Sequence, residues 1–334
     1  MRKTLTIVIK ALNEEENIAR AIESCLKVKA SIDAEVFLVD CLSSDRTVDI
    51  ASTYPINIIQ IDNVDDRTCG VGGHVAFQYV NSEYLYMMDG DMELEKEFID
   101  WGLEFLEKNV EYAGVGGSLI QYGGGSYEFK VRDRQLSKVW CPGDVRWLVG
   151  GGLYRCSALN DIGNFTNLNL HAYEEMELGL RLENKGWKLY RSERNSVKHH
   201  AHLESSIQLM RKRWEGRYVD GAGELIRMSI GHPYFFDVIW EFRIYVGFLL
   251  LIFTNIILTV VLILEKEFFR LVLIYLFDVA LLLMFVARKR SFLDSIYSIL
   301  NMFTYSAGLI RGLFVKERHP NSNVKHKILK IDVA

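Results

Sequence analysis

Two carboxylates separated by one glycine, Asp89 and Asp91, follow a run of bulky apolar residues from Tyr84 to Met88. Carboxylate oxygens are the ligands that hard divalent cations prefer, and a cation held in this way can bind a diphosphate. Acids are also frequent in turns, where they need no ligand. Because open α/β sheets bind ligands at the carboxyl ends of their strands, the position after a predicted strand favours metal binding.

Three further acids, Glu174, Glu175 and Glu177, stand where a helical apolar period begins. Acids in a first turn complement the helix dipole, and this interpretation suits all three of them. A positioned carboxylate can also act as a general base towards a hydroxyl group. The residue types leave both interpretations open.

Histidines provide a second group of candidate ligands. His199, His200 and His202 fall within four residues, after the strand predicted to follow this helix. Imidazole is a common metal ligand, although clustered surface histidines often have no such role. Another histidine, His74, follows a Gly-Val-Gly-Gly segment that predicts a turn.

The elements that must position these residues alternate between short β-rich runs and helical segments over residues 4–100. This order predicts an α/β fold in which helices cover a parallel sheet. Asn13 with Glu16 predicts a capping box at the start of the first helix. Asp40 ends the second strand, where its carboxylate can either bind a base or ribose or cap the next helix. The predicted strands are 5–9, 35–40, 56–61 and 84–88.

The composition is that of an ordinary globular protein, because the 334 residues are 49% hydrophobic and carry a formal net charge of −4. This excludes a disordered or collagen-like chain and argues against nucleic-acid binding. The charge is uneven, since residues 265–334 contain 11 basic and 6 acidic residues. Five cysteines without a C-x-x-C pair predict reduced, mostly buried thiols in a cytosolic domain.

Two long apolar segments lie towards the C-terminus. Residues 244–264 contain no charge, and at about 1.5 Å per residue they are long enough to cross a roughly 30 Å hydrocarbon core. Residues 271–287 are interrupted only by Asp278, which has either a functional role or a polar partner such as Asn255. The basic residues 288–290 then predict a cytoplasmic end. The alternative is a buried helical hairpin in a soluble protein.

Two crossings return the chain to the side on which it began, so we expect the acidic body and the basic C-terminus in the cytoplasm. Residues 295–310 form a third uncharged stretch, which is short for a span and predicts an interfacial or re-entrant helix. Before the hairpin, apolar residues at helical spacing accompany Arg211, Arg213 and Trp214. This pattern is typical of a basic amphipathic helix on an anionic membrane surface.

Three segments, taken in order, resemble the family 2 glycosyltransferases of the GT-A fold: residues 8–18, residues 36–47 and Asp89-Gly90-Asp91. The resemblance extends over residues 4–240. It implies contacts with a nucleotide-sugar as follows: Leu12 and Glu14 beside the base, Asp40 on the base, Asp89 on the ribose or a metal, Asp91 on the metal, and Gly151 near the donor sugar and acceptor. We also expect His74 to line the donor pocket.

The resemblance further implies that Glu175 is the general base, with Glu174 as its substitute. In relatives of the fold a histidine completes the metal shell, and here His200 is the first candidate and His199 the second. The implied cofactor is Mn²⁺ or Mg²⁺ on the donor diphosphate. The chain departs from the family at Lys10 and Leu12, where proline and an aromatic residue are usual.

The enzyme expected from this resemblance is an inverting glycosyltransferase of glycan or polysaccharide biosynthesis. It would transfer one sugar from a UDP- or GDP-linked donor to a membrane-embedded, polyprenyl-linked acceptor. We expect a single addition because the basic motif of processive synthases is incomplete around Arg213-Trp214. One alternative is a polyprenyl-phosphate sugar synthase, whose acceptor is the lipid phosphate. Another is a non-catalytic membrane scaffold with a degenerate transferase domain.

We therefore predict an integral protein of the cell membrane whose catalytic domain lies on the cytoplasmic face. The sequence leaves its oligomeric state open. The predicted parts are residues 1–202 as a GT-A catalytic domain, 203–241 as basic amphipathic interfacial helices, 242–290 as a transmembrane hairpin, and 291–334 as an interfacial or third membrane helix with a basic cytoplasmic tail.

Overall fold

The computed structural model describes residues 3–123, 141–201, 205–289, 292–320 and 322–332. The chain forms two compact units, Met1–Ser205 with Lys316–Ala334 and Ser206–Val315. The last residues, which we grouped with the membrane segments, are therefore part of the first unit instead. His202, which belongs to the predicted histidine cluster, and Arg290 at the predicted cytoplasmic end lie outside the described residues.

The first unit is built around one mixed sheet. Its strands are β1 (Lys3–Ala11), β2 (Ala34–Asp40), β3 (Asn57–Ile61), β4 (Ser82–Asp89), β5 (Met92–Leu94), β6 (Tyr112–Gly123), β7 (Gly143–Val145), β8 (Gly152–Arg155), β9 (Lys188–Ala201) and β10 (His326–Lys330). Its helices are α1 (Ile18–Lys29), α2 (Thr47–Ser52), α3 (Cys69–Phe77), α4 (Lys96–Lys108), α5 (Cys156–Asp161) and α6 (Glu174–Asn184), with a 3-10 turn at Val64–Asp66.

The sheet has the order β10-β3-β2-β1-β4-β8-β6-β9-β5, with β7 pairing β9. Strands β3, β2, β1 and β4 are parallel, whereas β8 runs antiparallel to β4. Strand β10 adds an antiparallel edge to β3. The carboxyl ends of the four parallel strands lie at one edge of the sheet, so the residues that follow these strands meet there. Open α/β sheets bind their ligands at this edge.

Hydrophobic burial on both faces explains why these runs form central strands. Leu5, Ile7, Val8 and Ile9 of β1 have no accessible surface, so the strand has no solvent face. A continuously buried run of this kind is characteristic of parallel strands covered by helices. Two apolar cores result, one on each side of the sheet, and they fix the register of the strand ends.

Two local predictions are wrong. Helix α1 begins at Ile18 rather than after Asn13, because Asn13 adopts a left-handed conformation with φ of 58° and its side chain accepts a hydrogen bond from Ser44 N at 2.7 Å. The glycines before His74 belong to helix α3 and form no turn. Thr68 caps this helix, since its side chain accepts from Val71 N.

The second unit is helical. It contains α7 (Ser206–Glu215), a 3-10 turn at Tyr218–Asp220, α8 (Gly221–Met228), α9 (Phe235–Glu241), α10 (Arg243–Leu264), α11 (Phe268–Lys289) and α12 (Phe292–Leu313). In the described part of the chain, α10 and residues Phe268–Arg288 of α11 are the two helices long and apolar enough to cross a membrane. Helix α12 extends beyond the predicted uncharged stretch at both ends.

Close helix packing in this unit depends on glycines. A Cβ on Gly223 of α8 would lie 2.0 Å from Leu309 O, and one on Gly312 of α12 would lie 2.1 Å from Asp220 O. Asp220 is completely buried and pairs with Arg311 at 2.7 Å. The backbones therefore approach so closely that only hydrogen fits between them, and the ion pair lies beside this contact.

The predicted pairing of Asp278 with Asn255 is not among the contacts of the described residues. The Asn255 amide donates instead to Leu251 O of its own helix at 3.1 Å. The hydrogen bond between α10 and α11 is formed one turn away, where Thr259 and Tyr275 hydroxyl oxygens are 3.2 Å apart. A hydrogen bond between the Thr259 and Tyr275 hydroxyl groups therefore links α10 to α11.

Gly70 in α3 provides a test of the first unit's packing. A Cβ there would lie 1.9 Å from Asn167 O, so we expect Gly70→Ala to lower the free energy of unfolding by about 1–3 kcal/mol. Gly247→Ala in α10 is the control, because a Cβ at this helical glycine would have no neighbouring heavy atom within 4 Å. Thermal melting of the full chain in detergent measures both, and equal melting temperatures would contradict this account.

Candidate active site

The carboxyl ends of β1 and β4 bring the first charged residues together. Lys10 is paired with Asp89 in the parallel register of these strands. Its ammonium lies 3.2 Å from Asp89 Oδ1 and 2.8 Å from Glu174 Oε1. Since Glu174 opens α6, a single cation connects the Asp-Gly-Asp turn to the acidic helix terminus.

The charge of Lys10 is stabilised by these neighbours. Burial of the ammonium disfavours its charged form, but the nearby carboxylates, first Asp89 and then Glu174, outweigh this and raise the pKa of Lys10 well above its ordinary value. Gly72 of α3 leaves the space for the side chain, since a Cβ there would lie 2.9 Å from Lys10 Cγ. Lys10 is therefore a permanent positive charge at this edge.

Glu175 occupies the first turn of α6 beside this pair. Burial and the neighbouring Glu174 carboxylate raise its pKa from 4.5 to about 8, and Lys10 opposes the increase. The preceding residue, Tyr173, has a φ of 68°, a strained conformation for a residue with a large side chain. The backbone thus turns sharply to place two acids at a helix N-terminus, and the second of them has the raised pKa.

Glycines border the other side of this sheet edge. Gly151, with a φ of +92°, follows Gly150, with a φ of +78°, and leads into β8. A Cβ on Gly151 would lie 2.9 Å from Met87 O of β4 and would also be strained by the positive φ. The segment therefore lies against the last residues of β4, close to Asp89.

Asp91 contacts His199 rather than His200, which is the first candidate for a metal ligand from the sequence. Its Oδ2 lies 3.0 Å from His199 Nε2, because Met92 of β5 is opposite His199 of β9. His200 points to the other face of the strand, where its ring stacks on Tyr122 with centroids 5.3 Å apart. The geometry therefore favours His199 as the histidine that accompanies Asp91, and metal binding by His200 stays a prediction.

The residues present fit a divalent cation that is shared with a substrate. Asp91 Oδ1 is buried without a hydrogen-bond partner, an arrangement expected of a carboxylate oxygen reserved for a ligand. The described residues contain no group of three or more acids, histidines or cysteines placed to hold a metal. Mg²⁺ and Mn²⁺ commonly take one or two protein carboxylates together with water and substrate phosphates. Asp91 and His199, which are in contact, can supply that share.

Asp40 lies at the end of β2, where it is completely buried. Its carboxylate accepts hydrogen bonds from Ser43 N at 3.0 Å and from the Gln60 side-chain amide at 2.8 Å. These contacts fix the loop that follows β2, in which Leu42 has a φ of 61°. The geometry favours the structural interpretation of Asp40, as an acid that holds the turn after its strand.

The residues predicted beside the base follow β1. Leu12 is 41% exposed, an unusual position for a large apolar side chain and one that can cover a planar ring. Glu14 N donates to Thr47 Oγ1 at 2.7 Å, and its carboxylate accepts from the Asn17 amide at 3.1 Å. The loop after β1 is thus joined to the start of α2, next to the turn that Asp40 holds.

His74 does not lie with the acids. Its Nε2 is 3.0 Å from Ser322 O of the C-terminal segment, and burial lowers its pKa. It lines a cleft of about 320 Å³ with Phe77 of the same helix, with Gln78 just after that helix and with Phe165. The predicted role in the donor pocket is therefore not supported by its position.

The predicted membrane-interface residues lie in the second unit. Arg211 is exposed and pairs with an acid one turn further along its helix. The Arg213 guanidinium donates to the Tyr305 hydroxyl at 2.7 Å, and Arg311 lies over the Trp214 ring at 4.2 Å. Two of the three side chains are thus engaged with α12, and a contact with lipid stays a prediction for all three.

Sequence reasoning missed the role of Lys10 and ranked His199 second. In the sequence, Lys10 stands out only as a departure from a family pattern. A lysine at the end of a buried strand nevertheless indicates that an acid lies nearby to pair with it. No local signal distinguishes His199 from His200, because the choice depends on the register of β5 against β9. Arg67, which donates to Cys41 O at 2.9 Å, was also missed.

Comparison with known proteins agrees with this architecture. Residues 6–160 match the family model for glycosyl transferase family 2. The crystal structure of S. aureus TarS 1-349 in complex with UDP-GlcNAc is similar with a TM-score of 0.51 and 16% identity, over 72% of this chain and 73% of that one. A longer S. aureus TarS structure has a TM-score of 0.48 and 14% identity over 69% of this chain, which spans 44% of that protein. No curated protein sequence matches the chain.

The parallel strands with acids at their carboxyl ends, followed by a mixed extension of the sheet, form the mixed α/β core that is typical of the GT-A fold. Residues 6–160, which lie in the first unit, match the model of glycosyl transferase family 2, and this match supports a glycosyltransferase domain in that unit.

The raised pKa of Glu175 has a consequence for stability. A carboxyl that binds its proton more tightly when folded stabilises the native state at low pH, and this contribution is lost as pH rises from about 4.5 to about 8. Glu175→Gln removes the effect. We therefore expect the variant to melt at least about 2 °C above the wild type at pH 9 and to lose this advantage at pH 5.

Glu183→Gln is the control for this measurement, because Glu183 lies in the same helix but is exposed beside Arg146. Its melting temperature relative to the wild type should be the same at pH 9 and pH 5. A pH-independent difference for Glu175→Gln would show that its carboxyl titrates normally.

Proposed function

We propose that this glycosyltransferase is an inverting enzyme that transfers one sugar from a nucleotide-sugar to a hydroxyl of a membrane-embedded, polyprenyl-linked acceptor. The observation that carries the proposal is the placement of Glu175 beside the Lys10–Glu174 pair, at the same edge as Asp89. A carboxyl with a pKa of about 8 is a stronger base than an ordinary glutamate when deprotonated. It is therefore suited to remove a proton from a hydroxyl.

The proposed step is a single displacement. The acceptor oxygen forms a bond to the anomeric carbon, while the bond from that carbon to the donor diphosphate breaks. The hydroxyl proton passes to Glu175, and the electron pair of the broken bond stays on the diphosphate. Because attack and departure take place on opposite faces, the anomeric configuration inverts. Lys10 pairs with Glu174 and holds its carboxylate in place, which leaves Glu175 as the acid that can accept the proton.

The donor diphosphate would be bound next to Asp91. We propose that Asp91 and His199, with Asp89, hold Mn²⁺ or Mg²⁺ on it, supported by the buried and unpartnered Asp91 Oδ1. When bound, such a cation neutralises charge on the leaving diphosphate. Leu12 would lie on the base, while Asp40 would shape the loop beside it.

The membrane part of the proposal depends on α10 and α11, whose length and composition suit two crossings. A hairpin would return the second unit's flanks to one side, and the bases at Arg288 and Lys289 favour the cytoplasm for that side. An acceptor that never leaves the bilayer explains why a nucleotide-sugar transferase would carry such an anchor. We propose an integral protein with its catalytic unit on the cytoplasmic face.

The function is tested by Glu175→Gln with acceptors of two kinds. For a hydroxyl acceptor we expect kcat to fall by about 10²- to 10⁴-fold, the usual contribution of a general base, while donor binding is retained. Radiolabelled sugar transfer in detergent, with UDP- and GDP-sugars offered in turn, measures the rate. Glu183→Gln, in the same helix, should retain wild-type turnover.

The alternative enzyme, a polyprenyl-phosphate sugar synthase, gives the opposite outcome. Its acceptor is already anionic and needs no base, so Glu175→Gln would keep near-normal transfer to polyprenyl phosphate. An equal loss in Glu174→Gln and Glu175→Gln would not distinguish which acid accepts the proton. In that case, loss of the alkaline increase in rate near pH 8 only in Glu175→Gln would identify it.

Metal binding can be measured without turnover. We expect Asp91→Asn to weaken binding of Mn²⁺ in the presence of UDP by about 10- to 100-fold, because one charged ligand is lost. His199→Ala should weaken it as well, whereas His200→Ala should leave it unchanged. Titration followed by the electron paramagnetic resonance of free Mn²⁺ gives the constants. A larger effect at His200 than at His199 would contradict the assignment.

A further inference from the structure

The chain returns to the first unit after its helical second unit. Residues 316–320 and 322–332, here called the C-terminal strap, are part of that unit. Strand β10 pairs with β3, and Asp62 N donates to Lys325 O at 2.9 Å. At its far end, Asp332 N donates to the Asn57 side chain at 2.9 Å. The strap is therefore an integral part of the first unit.

Arg318 of the strap contacts two separate loops. Its guanidinium donates to Asp66 Oδ1 at 2.6 Å, and the Asp66 side chain is only 10% exposed. Its backbone N–H donates to Asn169 Oδ1 at 2.9 Å, while its carbonyl accepts from the Asn169 amide at 2.8 Å. One residue thus holds two segments that are about a hundred positions apart in the sequence.

The first segment, which contains Asp66 and Arg67, contacts the loop after β2. Arg67, next to Asp66, donates to Cys41 O at 2.9 Å and also to Leu42 O. Leu42 carries the left-handed φ of 61°, and the following residue donates to Asp40. Asp66 is therefore linked, through its neighbour Arg67, to the loop that Asp40 shapes.

The second segment leads to the acidic helix. Asn169 is also held by hydrogen bonds inside its own loop. Its backbone N–H and its side-chain amide donate to Asn167 Oδ1 at 3.1 and 3.0 Å. The Leu170 carbonyl accepts from Gly70 N at 3.1 Å. Three residues later comes the strained Tyr173, followed by the acids that open α6. Arg318 therefore contacts the approach to Glu174 as well as the approach to Asp40.

We propose that Arg318 is a positioning residue for donor binding, which holds the loop after β2 and the segment before α6 in the arrangement that binds the donor. It touches neither the donor nor the reacting atoms and acts through Asp66, Arg67 and Asn169. This inference rests on the proposed function for the identity of the donor site. It makes donor binding dependent on a residue that follows the helical unit in the sequence.

The test compares Arg318→Met with Arg318→Lys and Lys327→Met in the full chain in detergent. Lys327 is the matched control, since it lies in the same strap and forms an exposed ion pair with Asp62 at 3.1 Å. We expect Arg318→Met to speed amide hydrogen exchange over residues 41–47 and 167–173 by about tenfold, the effect of losing one charged hydrogen bond. Lys327→Met should leave both segments unchanged, and Arg318→Lys should recover part of the protection.

Kinetics provide the second measurement. Arg318→Met should raise KM for the nucleotide-sugar by about five- to tenfold with kcat changed less than about twofold, because donor binding and not chemistry is affected. Unchanged exchange over residues 41–47, or equal effects of Arg318→Met and Lys327→Met, would overturn the proposal. If the wild type transfers no sugar from any donor, the proposed function fails, while hydrogen exchange still decides the role of Arg318.

Discussion

The ammonium of Lys10 among the acids of the sheet edge is the interaction on which the site depends. Asp89 and Glu174 come from segments far apart in the sequence, and without a cation their carboxylates would repel each other in a partly dehydrated place. Removing one partner of a buried pair such as Lys10–Glu174 typically costs about 3–5 kcal/mol. The fold accommodates Lys10 through Gly72, which leaves the space that its side chain fills. Catalytic and structural requirements therefore meet in one residue.

The same charge explains the division of labour between two adjacent glutamates. Glu174 contacts Lys10 directly, whereas Glu175 lies outside that contact and experiences burial and its neighbour's charge, so its pKa is near 8. Two acids of one type thus acquire different properties from their positions in a single helical turn. The strained Tyr173 before them is consistent with a turn formed for function rather than for stability.

Much of the fold could be predicted because its signals are local. Continuous apolar runs predicted β1 to β4, and their order predicted parallel pairing, with Asp40 and Asp89 at one edge. The start of α1 was wrong because Asn13 has an alternative partner, Ser44, across the sheet edge. The glycines of α3 predicted a turn, whereas the structure uses them for close approach to Asn167 O and Lys10. Packing of this kind leaves no periodic pattern in the sequence.

The sequence by itself determined the class of fold, the acids at the strand ends, the acidic start of α6 and the two apolar helices, because each depends on residue types at short spacing. Tertiary structure decided which histidine meets Asp91, since neighbouring residues of β9 face opposite ways and only the register with β5 selects His199. It also decided that the basic C-terminus is a strand on β3 and that Arg318 reaches Asp66. These contacts join residues more than a hundred positions apart, and no local pattern encodes them.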